Sequence, residues 1–201
     1  LIKRLVDILV ALVALIIFLP FGILFAILIK LTSPGPVFFI QDRPGLNRKI
    51  FKVIKFRTMR LGSEKMIKGE EVMLDDERIT AIGRVLRRGK IDEIPQVLNV
   101  LKGEMSIVGP RPERVDSLED YTPTIAHRLD MRPGITGLAQ VSGNIYLELQ
   151  DRYRYDVYYV DHFTVGLDFR IIFRTVGVVL RGEEKYLGRP LVQLPELTDP
   201  A

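Results

Sequence analysis

The sequence predicts a mostly α-helical protein with minor β content: a small globular domain behind an apolar N-terminal helical segment. Three observations predict it. Of the first 31 residues, 25 are apolar, whereas the rest of the chain has the composition of an ordinary globular domain. Several later segments repeat apolar residues at the spacing of a helix rather than of a strand. Charged residues make up 27% of the chain, too many for a wholly membrane-embedded protein, and the apolar content of 47% is too high for a disordered one. The absence of cysteine excludes a disulfide framework, a zinc ribbon, a thiol nucleophile and an iron–sulfur cluster. With His127 and His162 as the sole imidazoles, a histidine-rich metal site is not expected. The net charge of +4 matters less than where the cations sit.

From Ile8 to Ile29 the chain runs 22 residues without a charge, about 33 Å of helix, enough to cross a hydrocarbon core of about 30 Å. The run is too long for the apolar core of a signal peptide, and no small-residue cleavage site follows it. The chain opens on Leu1 rather than Met, which reads as a processed or excised piece. Pro20 near the middle removes a backbone hydrogen bond, and Gly22 loosens the same turn. Cations flank both sides: Lys3 and Arg4 before, Lys30 after, then seven between 41 and 60 against Asp42 alone. The positive-inside rule asks for one cationic side. Two readings stay open from these residues: a segment that bends at Pro20 and leaves on the face it entered, or a single kinked span.

Thr32-Ser33-Pro34-Gly35-Pro36 stops the apolar helix. Val37 to Ile40 reads as a short extended stretch and Arg43-Pro44-Gly45 as a turn. Lys49 to Thr58 alternates too irregularly to define a strand, and 62–75 reads as a polar mobile loop. Asp75-Asp76-Glu77 offers a cap for a helix carrying Ile79, Ile82 and Leu86 on one face, ended by Gly89. A second helix starts near Asp92, with Ile94, Val97, Leu98 and Leu101 at i, i+3, i+4 and i+7, and Pro95 tolerable only in its first turn. Residues 103–112 and 132–143 are loops rich in Gly and Pro. Leu147 to Val160 is a helix rich in tyrosine, and Phe169 to Leu180 an apolar helix punctuated by Arg170, Arg174 and Arg181. Both suit a membrane interface, with rings and cations at headgroup level, although core packing is the commoner reason for such stripes.

Asp92-Glu93 is the first chemical candidate. Two carboxylates at a helix N-terminus sit in the positive end of its dipole and can ligate Mg²⁺ or attack phosphorus, although acidic caps are commonplace there. Arg84, Arg87, Arg88 and Lys90 lie just upstream, which gives either an anion site or mutual neutralisation. Arg111, held between two prolines, presents a guanidinium on a stiff loop suited to bidentate phosphate recognition. Arg-Pro recurs at Arg43, Arg132 and Arg189. Asp156 and Asp168 are acidic positions in apolar or aromatic surroundings, hence ligands or members of buried ion pairs. No P-loop, GxGxxG or Ser/His/Asp arrangement occurs, and no nucleic-acid fold motif supports the basic stretch 41–60 as a nucleic-acid surface.

The segments SPGPVFFIQDRPG, KIFKVIKFRTM, DDERITAIGRVLRR, IDEIPQVLNVLKGEMSIVGPRPE, MRPGITGLAQVSG and YDVYYVDHFTVGLDFRIIFRT together resemble the bacterial sugar transferase family. These are the monotopic phosphoglycosyl transferases. The resemblance implies a re-entrant membrane helix broken at Pro20 in residues 1–31. It implies a small cytoplasmic catalytic domain with interfacial amphipathic helices in 32–181, and leaves 182–201 as an extension. It further implies transfer of a sugar-1-phosphate from a UDP-sugar to polyprenyl (undecaprenyl) phosphate on the cytoplasmic face of the bacterial inner membrane. Such a step would begin glycoconjugate, exopolysaccharide or lipopolysaccharide synthesis. On this resemblance Asp92 is the nucleophile that forms a phosphosugar-aspartyl enzyme and releases UMP, and Glu93 completes an Asp-Glu dyad that also holds Mg²⁺. Arg111 binds phosphate, with Arg87, Arg88, Arg132 and Asp156 as further substrate-site residues. The implied partners are UDP-sugar, polyprenyl phosphate and membrane lipids, not nucleic acid; a homo-oligomer stays open. Relatives more often carry Ser or Thr and Leu where Gly89-Lys90-Ile91 precedes the dyad, so the local loop shape is not carried over. The alternative from another class is a catalytically silent, membrane-anchored scaffold for anionic lipid or a pathway partner.

Overall fold

The computed structural model of the chain describes residues 1–63 and 75–194. Helix α1, Ile2–Thr32, is followed by an antiparallel hairpin of β1, Phe38–Pro44, and β2, Ile50–Phe56. Helix α2, Ala81–Arg88, leads through a 3₁₀ turn, Ile91–Gln96, into α3, Val97–Lys102. Strand β3, Ser106–Val108, precedes the short α4, Pro123–Ala126, and pairs in parallel with β4, Gly134–Thr136. Helices α5, Leu149–Asp161, and α6, Val165–Arg181, complete the order. The mostly helical, minor-β expectation holds.

Helix α1 continues through Pro20, so the expected two-part hairpin is one helix at the level of secondary structure. A proline removes one rung of the hydrogen-bond ladder and leaves those on either side. Both ends of α1 rest on the same domain. Near the start, Ala11, Ala14 and Leu15 pack with Phe51, Val53, Val97, Val100 and Met105. Near the end, Phe25, Ala26 and Ile29 pack with Phe56 and Leu86. Between them Ile16, Ile17, Leu19, Phe21, Ile23 and Leu24 are exposed. The helix is long and apolar enough to cross a membrane by length and composition.

Several local expectations are corrected. The stretch 50–56, too irregular to define a strand, is β2, and Arg43-Pro44 ends β1 rather than forming the turn, which falls at Gly45–Arg48. Cross-strand hydrogen bonding, not alternation, defines this pair, because both faces of the hairpin carry cations and apolar groups. Helix α2 is capped by Thr80, whose hydroxyl accepts from the Gly83 N–H, while Asp76 binds Arg78 instead, and Ile79 forms a bridge with Met59. The helix expected from Asp92 begins as a 3₁₀ turn, whose three residues per turn shift the apolar phase; Leu98 is exposed while Val97 and Val100 are buried. The loop 103–112 contains β3 and the turn-rich 132–143 contains β4. Of the loop expected at 62–75, residues 64–74 lie outside those described.

The two helices given an interfacial reading behave differently. Tyr153, Tyr155 and Tyr159 of α5 are buried, so its ring stripe builds core rather than a surface. Helix α6 buries Leu167, Ile171 and Val178 and exposes Phe169, Phe173, Val176 and Leu180, spaced i, i+4, i+7 and i+11 along one face. Beyond α6 the chain does not trail away: Tyr186, Leu191, Val192 and Leu194 pack against the core of β3, α5 and α6.

Candidate active site

The KFRTM stretch at the end of β2 does four separate jobs. Lys55 Nζ binds Glu93 Oε1 at 2.6 Å, and Phe56 fills the core under the end of α1. The Arg57 guanidinium donates to the carbonyls of Pro34 (2.5 Å) and Ser33 (2.8 Å), fastening the turn after α1. The Thr58 hydroxyl accepts from Arg87 Nε at 2.9 Å, and its carbonyl accepts from the Thr80 N–H at 2.9 Å. Gly83 makes that last contact close: a Cβ there would stand 2.0 Å from the Thr58 oxygen. Asn99, fully buried on α3, donates to the Lys52 carbonyl (2.7 Å) and accepts from the Ile54 N–H (3.1 Å). Its amide thus takes the place of a further strand and sets β2 against the helix that follows the dyad.

Asp92 and Glu93 lie in the first turn of the 3₁₀ segment. Lys90, just before it, takes a left-handed backbone conformation (φ 55°, ψ 19°), so the residue that reverses the chain is Lys90 and not Gly89. A side chain in that region costs about 1 kcal/mol. Lys90 Nζ is held by Glu183 Oε1 at 2.7 Å, and Asn144 Nδ2 donates to the same oxygen at 2.7 Å.

The loop that carries Arg111 comes from a backbone crossing. The Gly109 N–H donates to the Thr136 carbonyl (3.0 Å), and the Gly134 N–H donates to the Pro110 carbonyl (2.9 Å). At Gly109, Gly134 and Gly137 an added Cβ would stand within 2.3 Å of a backbone atom of the opposite segment. The VGPRP and RPGITG motifs are therefore two halves of one contact. The loop carries Arg111, whose Nη2 lies 3.4 Å from Glu93 Oε1. Arg43 Nη1 donates to the Pro112 carbonyl at 3.2 Å.

The two carboxylates are in different electrostatic states. Burial alone would raise Glu93, but Lys55, Arg111 and Lys90 outweigh it and hold the carboxyl far below the usual range. Asp92 is pushed up, first by burial and then by the Glu93 charge, against the pull of Lys55, Arg87 and Lys90. No ion pair among the described residues reaches Asp92. Around the dyad the cations crowd one another: Arg43 is lowered to about 10 by burial and by Arg111. Cations that repel each other around two carboxylates suit a polyanion that adds the missing negative charge.

The expected site residues thus divide. Asp92, Glu93, Arg87 and Arg111 come together. Arg88 is exposed on α2, and Arg132 donates to the Gly103 carbonyl (2.8 Å) at the far end of α3. Asp156 sits behind the loop, fully buried against Arg128, which donates to the Arg111 carbonyl (2.7 Å) and the Tyr121 hydroxyl (2.5 Å). Burial pushes Asp156 up to about 6 despite that neighbour. Its geometry is that of a brace for the Arg111 loop. Sequence reasoning missed Lys55, Arg128 and Asn99. Lys55 carried a signal only as one of the two cations of KFRTM; Arg128 and Asn99 are visible only once the strands are placed.

Because Lys55 lowers both carboxylates, Lys55→Met raises both. The acidic limb of any activity that needs them ionised is expected to move to higher pH, with the alkaline limb unmoved. A pH–rate profile from pH 5 to 9 checks it; an unmoved acidic limb would count against the Lys55–Glu93 pairing.

The profile of the bacterial sugar transferase family matches residues 1–182. The chain is 43% identical over 188 residues to the UDP-N-acetylgalactosamine-undecaprenyl-phosphate N-acetylgalactosaminephosphotransferase of Aeromonas hydrophila, across 90% of this chain and 44% of that protein. It is 44% identical over 185 residues to the exopolysaccharide production protein PSS of Rhizobium leguminosarum bv. phaseoli, across 87% of this chain and 92% of that protein. It is 40% identical over 195 residues to the UDP-glucose:undecaprenyl-phosphate glucose-1-phosphate transferase of Caulobacter vibrioides, across 92% of this chain and 72% of that one. The chain thus spans less than half of the Aeromonas protein and nearly all of PSS. The matched region contains α1, the dyad turn and the glycine crossing, and the chain belongs to the bacterial sugar transferase family.

Proposed function

We propose that this protein transfers a sugar-1-phosphate from a UDP-sugar to polyprenyl phosphate through a covalent enzyme intermediate. The observation that carries the reading is the asymmetry of the dyad: Glu93 is bound by Lys55 and Arg111, whereas the adjacent Asp92 has no ion pair among the described residues. The residue without an ion pair is the nucleophile. An Asp92 carboxylate oxygen attacks the β-phosphorus, the bond to the oxygen bridging the two phosphates breaks, and UMP leaves with that electron pair. An oxygen of polyprenyl phosphate then attacks the same phosphorus, and the Asp92 carboxylate is restored. Arg111 and Lys55 offset charge on the phosphoryl oxygens, and Arg87 and Lys90 favour the ionised form of Asp92.

Mg²⁺ fits this donor set, because magnesium sites use one or two carboxylates together with substrate phosphates. Asp92 and Glu93 would be its protein ligands; among the described residues no group of three or more His, Asp or Glu side chains converges. When bound, the ion supplies charge neutralisation of the diphosphate and of the departing UMP.

The reading includes a monotopic anchor on the cytoplasmic face of the inner membrane. A straight 31-residue helix is about 46 Å long and would put its ends on opposite sides of a bilayer. One small domain holds both ends of α1, and the exposed apolar residues lie between them. The outward face of α6 extends the apolar surface available to lipid. Cysteines placed at the exposed positions Leu1 and Leu31 are expected to be labelled from the same side of sealed vesicles; labelling from opposite sides would restore a plain span.

The activity is tested by UMP release from a panel of UDP-sugars with Mg²⁺ and polyprenyl phosphate. Omitting the acceptor and labelling the sugar should leave label on the protein. A membrane-anchored scaffold would release no UMP with any donor, and turnover without protein label would remove the covalent step.

A further inference from the structure

The first two turns of α1 carry three charged residues, Lys3, Arg4 and Asp7, where a membrane segment would be expected to place headgroup contacts. They do not face outward. Asp7 is 4% exposed, and its carboxylate accepts from the Ser106 hydroxyl (2.8 Å) and from the Ile107 N–H (2.9 Å). Lys3 Nζ donates to the Val108 carbonyl (2.9 Å) and pairs with Asp168 (2.7 Å). Arg4 donates to the carbonyls of Val100 (2.6 Å) and Leu101 (3.1 Å) at the end of α3.

The chemistry of β3 explains the arrangement. It belongs to a two-stranded sheet, so only one of its edges faces β4. The Ile107 N–H, flanked by the two residues that pair with β4, finds its acceptor on α1 instead. Ser106 is fully buried, and its hydroxyl likewise ends on Asp7. Buried donors require an acceptor, and Asp7 supplies both from one carboxylate. Val108, the last residue of β3, is tied to Lys3, and Gly109-Pro110-Arg111-Pro112 begins at the next residue.

We infer that Asp7 is a positioning residue for Arg111: the membrane helix sets the root of the phosphate-binding loop and so takes part in the transfer reaction without touching substrate. The inference rests on the function proposed above for Arg111. Asp7→Asn keeps the shape but replaces a charged carboxylate, which accepts from Ser106 through both oxygens and from Ile107 through Oδ1, by an amide with one neutral acceptor oxygen. It is expected to lower kcat/KM for the UDP-sugar about tenfold.

A double-mutant cycle with Arg111→Ala, in lipid nanodiscs and normalised to folded protein by thermal melting, separates positioning from loss of fold. If Asp7 acts through Arg111, Asp7→Asn costs less than twofold once Arg111 is already alanine. The same tenfold loss in both backgrounds, or no loss in either, would overturn the inference. A wild-type protein that releases no UMP, or an Arg111→Ala variant at full rate, would instead count against the proposed function, so the two failures are distinguishable.

Discussion

Asp92→Asn is expected to abolish both UMP release and covalent labelling, by at least about 10⁴-fold, or about 5 kcal/mol of transition-state stabilisation. The amide retains shape and polarity but cannot donate an electron pair to phosphorus as a carboxylate does. Stability should move the other way. Asp92 is raised by burial and by the Glu93 charge, so at neutral pH its ionised form costs the folded state free energy that the unfolded chain does not incur. Asparagine removes that cost. The variant is therefore expected to melt at or above wild type near pH 7, with the difference shrinking as acid protonates Asp92 in the wild type. Loss of activity with an undiminished melting temperature would identify a group kept for chemistry at the expense of stability. A variant inactive and unstable together would return Asp92 to the role of a helix-capping acid. Glu93→Gln is the comparison: it removes the partner of Lys55 and Arg111 but leaves the Asp92 carboxylate, so slow labelling should survive.

The second large effect comes from a residue that brings no reacting group of its own. Gly134→Ala places a Cβ 2.1 Å from the Gly109 nitrogen, 2.3 Å from the Thr136 oxygen and 2.7 Å from the Gly109 oxygen. All three are backbone atoms that cannot rotate aside. The crossing must open, which strains the hydrogen bonds joining Gly109 to Thr136 and Gly134 to Pro110. The expected cost is about 3 kcal/mol of stability, with activity down at least about 100-fold because Arg111 rides on the displaced segment. Gly166→Ala is the control. Its Cβ would meet only the Thr164 hydroxyl at 3.8 Å, so full activity and an equal or slightly higher melting temperature are expected. Denaturation and UMP release measured on both variants decide it; a Gly134→Ala protein with wild-type stability would show that the crossing yields easily.

What the sequence made legible is what depends on neighbours along the chain. Helices α5 and α6 announce themselves by apolar spacing, and the stiff Arg111 loop by its two prolines. The dyad turn was readable as a helix start because Pro95 is tolerated only there, but not as a 3₁₀ turn, which Lys90 sets through a conformation most side chains avoid. Strand β2 was not legible, since β1 and the Asn99 amide define it across long separations. Asp156 illustrates the same limit. Its type and apolar setting suggested a ligand or a buried pair, and only the placement of Arg128 distinguishes a brace from a binding group. Asp7, next to the apolar run, carries no sequence signal, because its partners are about a hundred residues away.

The last twelve described residues carry a practical consequence. The family profile ends at residue 182, but the packed structure does not: Glu183 grips Lys90 two residues before Asp92, and Leu191, Val192 and Leu194 close the core over α6. The profile and the packed core end at different residues of this chain. A fragment ending at residue 182 would strip part of the core and remove the Glu183 carboxylate that holds Lys90 beside the dyad turn.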